Sequence, residues 1–187
     1  LDDLRDAGYG VDYKILNALD FGLPHKRERT IIVGAIESRG GLDGFKWPEG
    51  GAKMKPLSEI LEKNPDEKVF VSERIRRKRK DAHTPKVTPS IWHENKSGNI
   101  SSHPHSCALR AGASYNYLLV DGERRLTARE TLRLQGFPDS YKMVCTDTQV
   151  KKQTGNAVAV PVVQSVIERV ADVVRRSEVA GDRQKTA

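Results

Sequence analysis

The sequence predicts an α/β protein in which sheet strands and a C-terminal helix flank a mixed, mostly β insert. Three observations support this prediction. The run 30–36 is almost entirely apolar and rich in β-branched residues, as in strands that α/β sheets bury on both faces. Residues 88–120 are rich in Ser, Asn, His and Gly, which is typical of short strands and long loops. The valine-rich stretch after Pro161 has helical periodicity.

Size and composition are those of a globular protein. The 187 residues can form one domain or a domain with a smaller lobe, and 37% are hydrophobic and 30% charged. No apolar run approaches the roughly 20 residues needed to span a bilayer, and residues 1–5 do not resemble a signal peptide. Two cysteines suit a reducing compartment. We therefore expect a cytoplasmic protein without a membrane partner.

The first predicted elements are a helix end at residues 1–7 and a half-buried strand at 11–15, where apolar and polar residues alternate. The second strand is 30–36. Arg27 and Arg29 stand two apart at its beginning, so they project to the same side. Two guanidinium groups there favour binding of an anion or a carbonyl oxygen, although arginines at a strand end can also simply solvate the sheet edge.

A basic cluster follows the second strand. Residues 37–51 are predicted to be a linker and 55–63 a short amphipathic helix. Six of the seven residues in 74–80 are basic, within a chain that carries 32 Lys and Arg, 25 Asp and Glu and a net charge of +7. Such a cluster either faces phosphates or forms a solvated surface, and the overall charge favours a polyanionic partner.

The middle of the chain contains three residues that could bind a metal, but we do not predict a metal site there. Residues 106–111 and 115–120 indicate two strands with a turn between them. His103, His105 and Cys107 alternate and could share one strand face. No fourth ligand stands at a suitable spacing, so we expect polar surface residues there and no metal.

Two helices are predicted near the C-terminus. Thr127 and Glu130 form a capping box at the start of the first, and Gly136 ends it. Arg129 and Arg133, four apart, share one face of this helix. The second helix has Pro161 at its first position, a frayed tail from residue 177 onward, and an apolar stripe. The stripe consists of Val162, Val163, Val166, Ile167, Val170 and Val174.

Three segments carry a family resemblance. Residues 125–138, Arg-Leu-Thr-Ala-Arg-Glu-Thr-Leu-Arg-Leu-Gln-Gly-Phe-Pro, closely resemble motif IX of the DNA cytosine-5 methyltransferases. Residues 16–29 resemble the junction of motifs VII and VIII, usually Gly-x-Pro-Gln-x-Arg-x-Arg, with His25 in place of the Gln. Residues 153–161, Gln-Thr-Gly-Asn-Ala-Val-Ala-Val-Pro, are similar to motif X. The motifs occur in the family order and extend over nearly the whole chain.

The resemblance implies a domain organisation. Residues 1–40 would be the end of a Rossmann-like, S-adenosylmethionine-dependent catalytic domain and contribute its C-terminal strands. Residues 41–141 would be the target recognition region, ending in motif IX. Residues 142–176 would be the motif X segment and the helix that returns to the catalytic domain, with 177–187 as the tail.

The resemblance also implies residue roles. Arg29 would stabilise charge at O2 of a flipped cytosine, and Arg27 would organise the site beside it. Asn156, Ala157 and Val158 would line the pocket of the cofactor S-adenosylmethionine. Basic residues of the recognition region would hold double-stranded DNA while the base is flipped out. These DNA-binding candidates are Arg74, Arg76, Arg77, Lys78, Arg79 and Arg110.

The family's nucleophile is not in this sequence. That residue is a Cys following a Pro, whereas Cys107 follows Ser and Cys145 follows Val. The Glu-Asn-Val motif and the Gly-rich first strand are also missing. The chain therefore resembles the C-terminal portion of a restriction-modification methyltransferase. It would be inactive alone and would need an N-terminal catalytic segment or subunit that carries the Cys. The alternative is a noncatalytic DNA-binding module left by truncation, and the sequence before Leu1 would discriminate between the two.

Overall fold

Two antiparallel strands form a ribbon near the start of the chain. The computed structural model describes residues 1–114 and 116–185, and in the last helix it describes side chains as far as residue 176. The first helix and the ribbon strands, which pair along their whole length, are α1 (Asp2–Asp6), β1 (Tyr9–Asn17) and β2 (Glu28–Ile36). Both predicted strands are confirmed, and each extends beyond its predicted limits.

The ribbon is covered on only one face. Leu16 and Val33 are buried on that face, where they pack with Val162 and Val166 of the last helix. The opposite face is a row of exposed apolar side chains that includes Ile32. We predicted that β2 would be buried on both faces, and this was wrong, since the described part of the chain supplies no layer over the second face.

A three-stranded antiparallel sheet forms the second part of the molecule, in the order β4 (Ile100–His103), β3 (Ile91–Glu94), β5 (Leu118–Val120). Its core joins strand residues Ile91, Leu118 and Val120 to Leu57 and Ile60. The predicted short helix at 55–63 is confirmed over four residues. The elements of this part are α2 (Leu57–Ile60), α3 (Glu73–Ala82), β3 (Ile91–Glu94), β4 (Ile100–His103) and β5 (Leu118–Val120).

One predicted strand does not form. Residues 106–111 run as an irregular segment whose single β-bridge joins Ser106 to His25. The backbone of this segment bonds to side chains from outside the sheet instead of to a neighbouring strand, because buried polar groups need partners of some kind. The second predicted strand is confirmed at β5, and Tyr115, placed at its beginning, lies outside the described residues.

Three helices complete the chain, namely α4 (Ala128–Leu134), α5 (Asp147–Asn156) and α6 (Val160–Lys185). The predicted capping box of α4 and the left-handed stop at Gly136 (φ 83°) are confirmed. The sequence analysis did not predict α5. The valine stripe of α6 is divided, since Val162 and Val166 are buried whereas Ile167 and Val174 are exposed.

The predicted frayed tail from residue 177 onward stays a prediction. Helix α6 continues from Ser177 to Lys185, and the last two residues of the predicted tail lie outside the described part. No helix in the described part is long and apolar enough to cross a bilayer.

Candidate active site and nucleic-acid interface

Arg27 joins three distant segments just before β2. Its side chain is 2% exposed. Nη1 donates to the carbonyl oxygen of Leu109 at 3.1 Å, and Nη2 donates to those of Gly155, at 3.0 Å, and Ala157. Burial, followed by the charge of Arg29, lowers the pKa of Arg27 to about 10, so it remains protonated at neutral pH. The segment resembling motif VIII is thus tied to the irregular segment 106–111, within the predicted recognition region, and to the segment resembling motif X.

Arg29 lies beside Arg27 and is exposed. Both arginines line a narrow cleft of about 10 Å³, together with Val158 and Ile31. This agrees with the prediction that the two arginines project to the same side. Within the described part, Arg29 bonds to no carboxylate, and its Nη1 donates to the carbonyl of Glu28 at 2.6 Å. A positive charge therefore stands at the cleft without a neutralising partner there.

His25 is fully buried and bonds through both ring nitrogens. The N–H of Leu109 donates to Nε2 at 3.2 Å, so Nδ1 carries the proton and donates to the carbonyl of Leu134, also at 3.2 Å. Burial, and then the charge of Arg27, lowers the pKa of His25 from 6.5 to about 3, which keeps the ring neutral. A glutamine amide likewise offers one donor and one acceptor, so His25 meets the same kind of requirement.

The irregular segment around Leu109 is held tightly against α5. A Cβ at Gly155 would stand 2.4 Å from the backbone nitrogen of Ala111. The N–H of Arg110 donates to the Tyr117 hydroxyl at 3.0 Å, and the Arg110 guanidinium lies 4.9 Å from the centre of the Tyr117 ring. The exposed Arg110 side chain therefore projects from a fixed backbone.

The predicted cofactor residues lie at the junction of α5 and α6. Asn156 and Val158 are exposed, and Ala157 is partly buried. Val158 borders both the arginine cleft and an open apolar groove that continues along α6. An amide beside an apolar surface fits one wall of a pocket for a cofactor with a polar and an apolar part.

Gln135 positions this junction and was missed as a functional residue. The side chain is fully buried, and its Nε2 donates to the carbonyl of Thr154 at 2.5 Å. The main-chain carbonyl of Gln135 accepts from the N–H of Val160 at 2.8 Å. The residue belongs to the Leu-Gln-Gly-Phe-Pro string, but a local pattern does not indicate which distant backbone a side chain will meet.

Helix α3 divides the basic cluster between surface and interior. Arg74, Arg77 and Lys78 lie on its outward face and Arg76 is partly buried. Arg79 is 2% exposed, with Nη2 2.6 Å from Oε2 of Glu94. We predicted that Arg79 would contact phosphate, and this was wrong. Helical periodicity turns it towards the sheet, where Glu94 and the Asn116 carbonyl hold it.

The histidines and cysteines form no evident reactive site. His103 and His105 stack with ring centres 5.2 Å apart. Among the described residues, no group of three or more His, Cys, Asp or Glu could hold a metal ion. Burial raises the pKa of the Cys107 thiol, which disfavours the reactive thiolate.

The fold is similar to that of known methyltransferases. The structure of the Entamoeba histolytica methyltransferase EhMeth matches with a TM-score of 0.70 and 15% identity, covering 92% of this chain and 57% of that one. The crystal structure of the S. pombe Dnmt2 methyltransferase matches with a TM-score of 0.64 and 21% identity, over 93% and 61% of the two chains. At these identities the likeness concerns the fold alone.

Sequence comparison gives the family. The model described as C-5 cytosine-specific DNA methylase matches residues 1–172, and the chain belongs to this family. Type II methyltransferase M.NgoBI of Neisseria gonorrhoeae is 50% identical over 168 residues, 88% of this chain and 52% of the relative. M.HaeII of Haemophilus aegyptius is 49% identical over 168 residues, with the same coverages. The chain thus spans about half the length of these curated relatives.

Proposed function

We propose that this chain is the C-terminal portion of a cytosine-5 DNA methyltransferase. It contributes to methyl transfer from S-adenosylmethionine to C5 of a cytosine within a specific DNA sequence, in a restriction-modification system. The Type II relatives and the family membership support this function. The observation that carries it is the convergence on Arg27 of the recognition segment, at Leu109, and the proposed cofactor segment, at Gly155 and Ala157.

Arg29 is the proposed catalytic residue of the chain. When a thiolate adds to C6 of cytosine, negative charge develops on the ring, and a fixed cation at O2 stabilises that charge most in the transition state. Arg29 is exposed at the cleft and bonds to no carboxylate in the described structure, which supports this role. Arg27 acts as a positioning residue, since the carbonyl oxygens that it binds fix the backbone around Arg29.

The cofactor S-adenosylmethionine supplies the methyl group. This chain would hold the cofactor with Asn156, Ala157 and Val158. The exposed amide of Asn156 can bond to the polar part of the cofactor, and Val158 can cover an apolar part. The hydrogen bond from Arg27 to the Ala157 carbonyl fixes the backbone between them. These residues would form one wall of the pocket.

The nucleophile would come from an N-terminal segment or subunit that carries the Pro-Cys motif. The uncovered face of the ribbon supports such a partner, because five apolar side chains are exposed there in one continuous row. In α/β folds, helices ordinarily cover both faces of a mostly parallel sheet, to which such a ribbon would be joined at an edge. The row consists of Tyr9, Tyr13, Ile15, Ile32 and Ile36.

Double-stranded DNA would be held by two surfaces. The outward face of α3, with Arg74, Arg77 and Lys78, would contact phosphates together with Arg76. Arg110 projects from the fixed recognition segment and would contact the DNA close to the flipped cytosine. Because Arg79 is buried, it would not contact DNA and instead attaches α3 to the sheet through Glu94.

The test uses the chain with and without an N-terminal segment carrying Pro-Cys from a Type II relative. Duplex DNA containing 5-fluorocytosine, supplied together with S-adenosylmethionine, traps the family's covalent intermediate, because after methyl transfer the fluorine at C5 blocks release of the enzyme. We expect no adduct with the chain alone and an adduct with the combination. An adduct from the chain alone would contradict the proposal. If the correctly assembled combination also formed no adduct, the proposal would be contradicted and the noncatalytic alternative favoured.

Two variants separate the roles within the active combination. Arg29→Ala should lower turnover by a factor of about 100 or more while changing DNA affinity little, because its interaction strengthens in the transition state. Arg77→Ala is the matched control, and it should weaken DNA binding and reduce its salt dependence with little effect on saturated turnover. Equal effects from both changes would contradict the assigned roles.

A further inference from the structure

A cavity of about 250 Å³ lies between the recognition segment and α5. Leu109, Leu118 and Leu126 form part of its apolar wall. Lys151 and Lys152 line it from α5. The cavity is distinct from the cleft at Arg29, and Arg110, the DNA contact proposed above, lies at its wall.

The wall of the cavity carries only one sign of charge in the described structure. Four of its lining residues are basic and none is acidic. Hydroxyl groups of Ser114, Tyr117, Thr131 and Thr148 also line it. The basic residues are Arg110, Arg125, Lys151 and Lys152.

The carboxylates near Lys151 are engaged elsewhere. Glu130 accepts a two-pronged bond from Arg124, at 2.9 and 2.8 Å. Asp147 lies 3.6 Å from the Nζ of Lys68. In the described part the Lys151 ammonium group makes no hydrogen bond or ion pair, although the main-chain carbonyl of this residue accepts from the Thr154 hydroxyl at 3.0 Å. No carboxylate of the described part therefore bonds directly to the Lys151 ammonium group.

Lys151 is also partly desolvated. Burial is the main cause that lowers its pKa, Asp147 acts in the opposite direction, and Arg125 lowers it further. An ammonium group that has lost water and gained no carboxylate is stabilised by a bound anion. The neighbouring hydroxyl of Thr148 can donate to the same anion.

We propose that this cavity binds a phosphoryl group through Lys151, with a sugar attached to the phosphate packed against the leucine wall. The cavity is several times larger than a phosphate group alone, and its apolar wall suits a deoxyribose. A DNA strand is the expected source, in which case the inference rests on the proposed function. A free sugar phosphate has the same chemistry, and the experiments below distinguish the two sources.

The first experiment titrates the whole chain with inorganic phosphate and with deoxyribose 5-phosphate, and follows backbone amides by NMR. We expect saturable shifts at Ala111, Thr148 and Lys151. Lys151→Gln should abolish them. Lys142→Gln removes the same charge from an exposed residue outside the cavity and should leave them unchanged. Equal shifts in the two variants would overturn the proposal.

The second experiment measures affinity for a random-sequence DNA duplex as a function of salt. Lys151→Gln should reduce the slope of log affinity against log salt by about 0.9, the value for one lost phosphate contact, and Lys142→Gln should not change it. Unfolding in urea verifies that both variants fold. If the sugar phosphate binds but the slope is unchanged, the source is a free phosphate ester.

The experiments can refute the proposed function on DNA and the proposed phosphoryl site independently of each other. If the unmodified chain binds no duplex even at low salt, its proposed role on DNA fails, whereas the sugar phosphate titration still decides whether the cavity takes a phosphoryl group. If Lys151→Gln alters neither phosphate binding nor the salt slope, the phosphoryl site is refuted whatever the enzyme does.

Discussion

At the scale of single residues, His25 behaves as a neutral connector. It accepts from the Leu109 N–H and donates to the Leu134 carbonyl in a fully buried position. A protonated ring would lose its acceptor and leave a buried N–H unsatisfied. The ring therefore connects the irregular segment 106–111 to the end of α4 only while it is uncharged.

This predicts a pH dependence that His25→Gln should remove. The folded pKa of about 3 lies below the unfolded value of 6.5, so below pH 6.5 the unfolded chain binds a proton that the folded chain does not. Stability should fall as pH falls from about 6.5 towards 3. Relative to the glutamine variant, the loss should approach about 1.4 kcal/mol per pH unit. Urea unfolding at several pH values measures it.

The control is His25→Ala, which removes both hydrogen bonds. It should cost about 3 kcal/mol at pH 7.5, since two buried backbone groups lose their partners, whereas His25→Gln should cost about 1 kcal/mol or less. Other titrating groups are common to the proteins and cancel in the comparison. Parallel stability curves for the wild type and the glutamine variant between pH 7 and 4.5 would contradict the neutral state assigned to the buried ring.

At the scale of elements, the contact of α5 with the irregular segment 106–111 depends on Gly155. Alanine normally stabilises a helix by about 1 kcal/mol relative to glycine. Here its Cβ would stand 2.4 Å from the Ala111 nitrogen, a backbone atom held by its neighbours. Gly155→Ala should therefore destabilise the protein by about 2 kcal/mol or more, as overpacking does. Urea unfolding tests the sign.

Gly112 provides the matched control, because a Cβ there would meet nothing within 4 Å. Gly112→Ala should change stability by less than about 0.5 kcal/mol. The prediction is wrong if the two substitutions have equal effects, or if Gly155→Ala stabilises the chain as helix propensity alone would suggest.

Local signals in the sequence predicted some elements well. The capping box of α4 and the stop at Gly136 are interactions within a few residues, and both appear as predicted. Residues 106–111 have the composition of a strand but meet His25, Arg27 and Gly155 instead of a partner strand. That environment depends on residues more than 40 positions away, and composition does not encode it.

The basic cluster shows the same limit within one helix. Six basic residues in seven predicted a charged surface, and the outward face of α3 carries one. The sequence did not predict that Arg79 faces inward, because its partner Glu94 belongs to a strand that was not individually predicted. Similarly, the two arginines before β2 were recognised by their spacing and motif, whereas the carbonyl partners of Arg27 lie far along the chain.

At the scale of the whole molecule, the bare face of the ribbon should govern how the chain behaves in solution. Its apolar side chains include Ile32, which is 53% exposed. Exposed apolar patches of this kind favour association. We expect the chain alone to self-associate with rising concentration, and Ile32→Lys to reduce this while costing about 1 kcal/mol of stability or less. Analytical ultracentrifugation measures the association.

Val33 is the contrasting position on the covered face, where it is 7% exposed. Val33→Lys should unfold the protein or cost several kcal/mol, because it places an unpaired charge against α6. A monomeric wild type at every accessible concentration would contradict the prediction. Undiminished association in a folded Ile32→Lys variant would point to another surface.

The double attachment of Leu109 has a consequence for retargeting. His25 and Arg27 hold its N–H and its carbonyl, groups that every residue except proline possesses. The exposed side chain of Arg110 can therefore vary without loosening the segment, whereas Ser106 and Leu109 are buried and must keep their packing. Through the DNA contact proposed for it, a substitution at Arg110 would alter which bases are preferred without re-routing the chain. Attachment through main-chain groups would thus give an engineer, or natural variation, a fixed frame on which new sequence preferences can be tried at this exposed position.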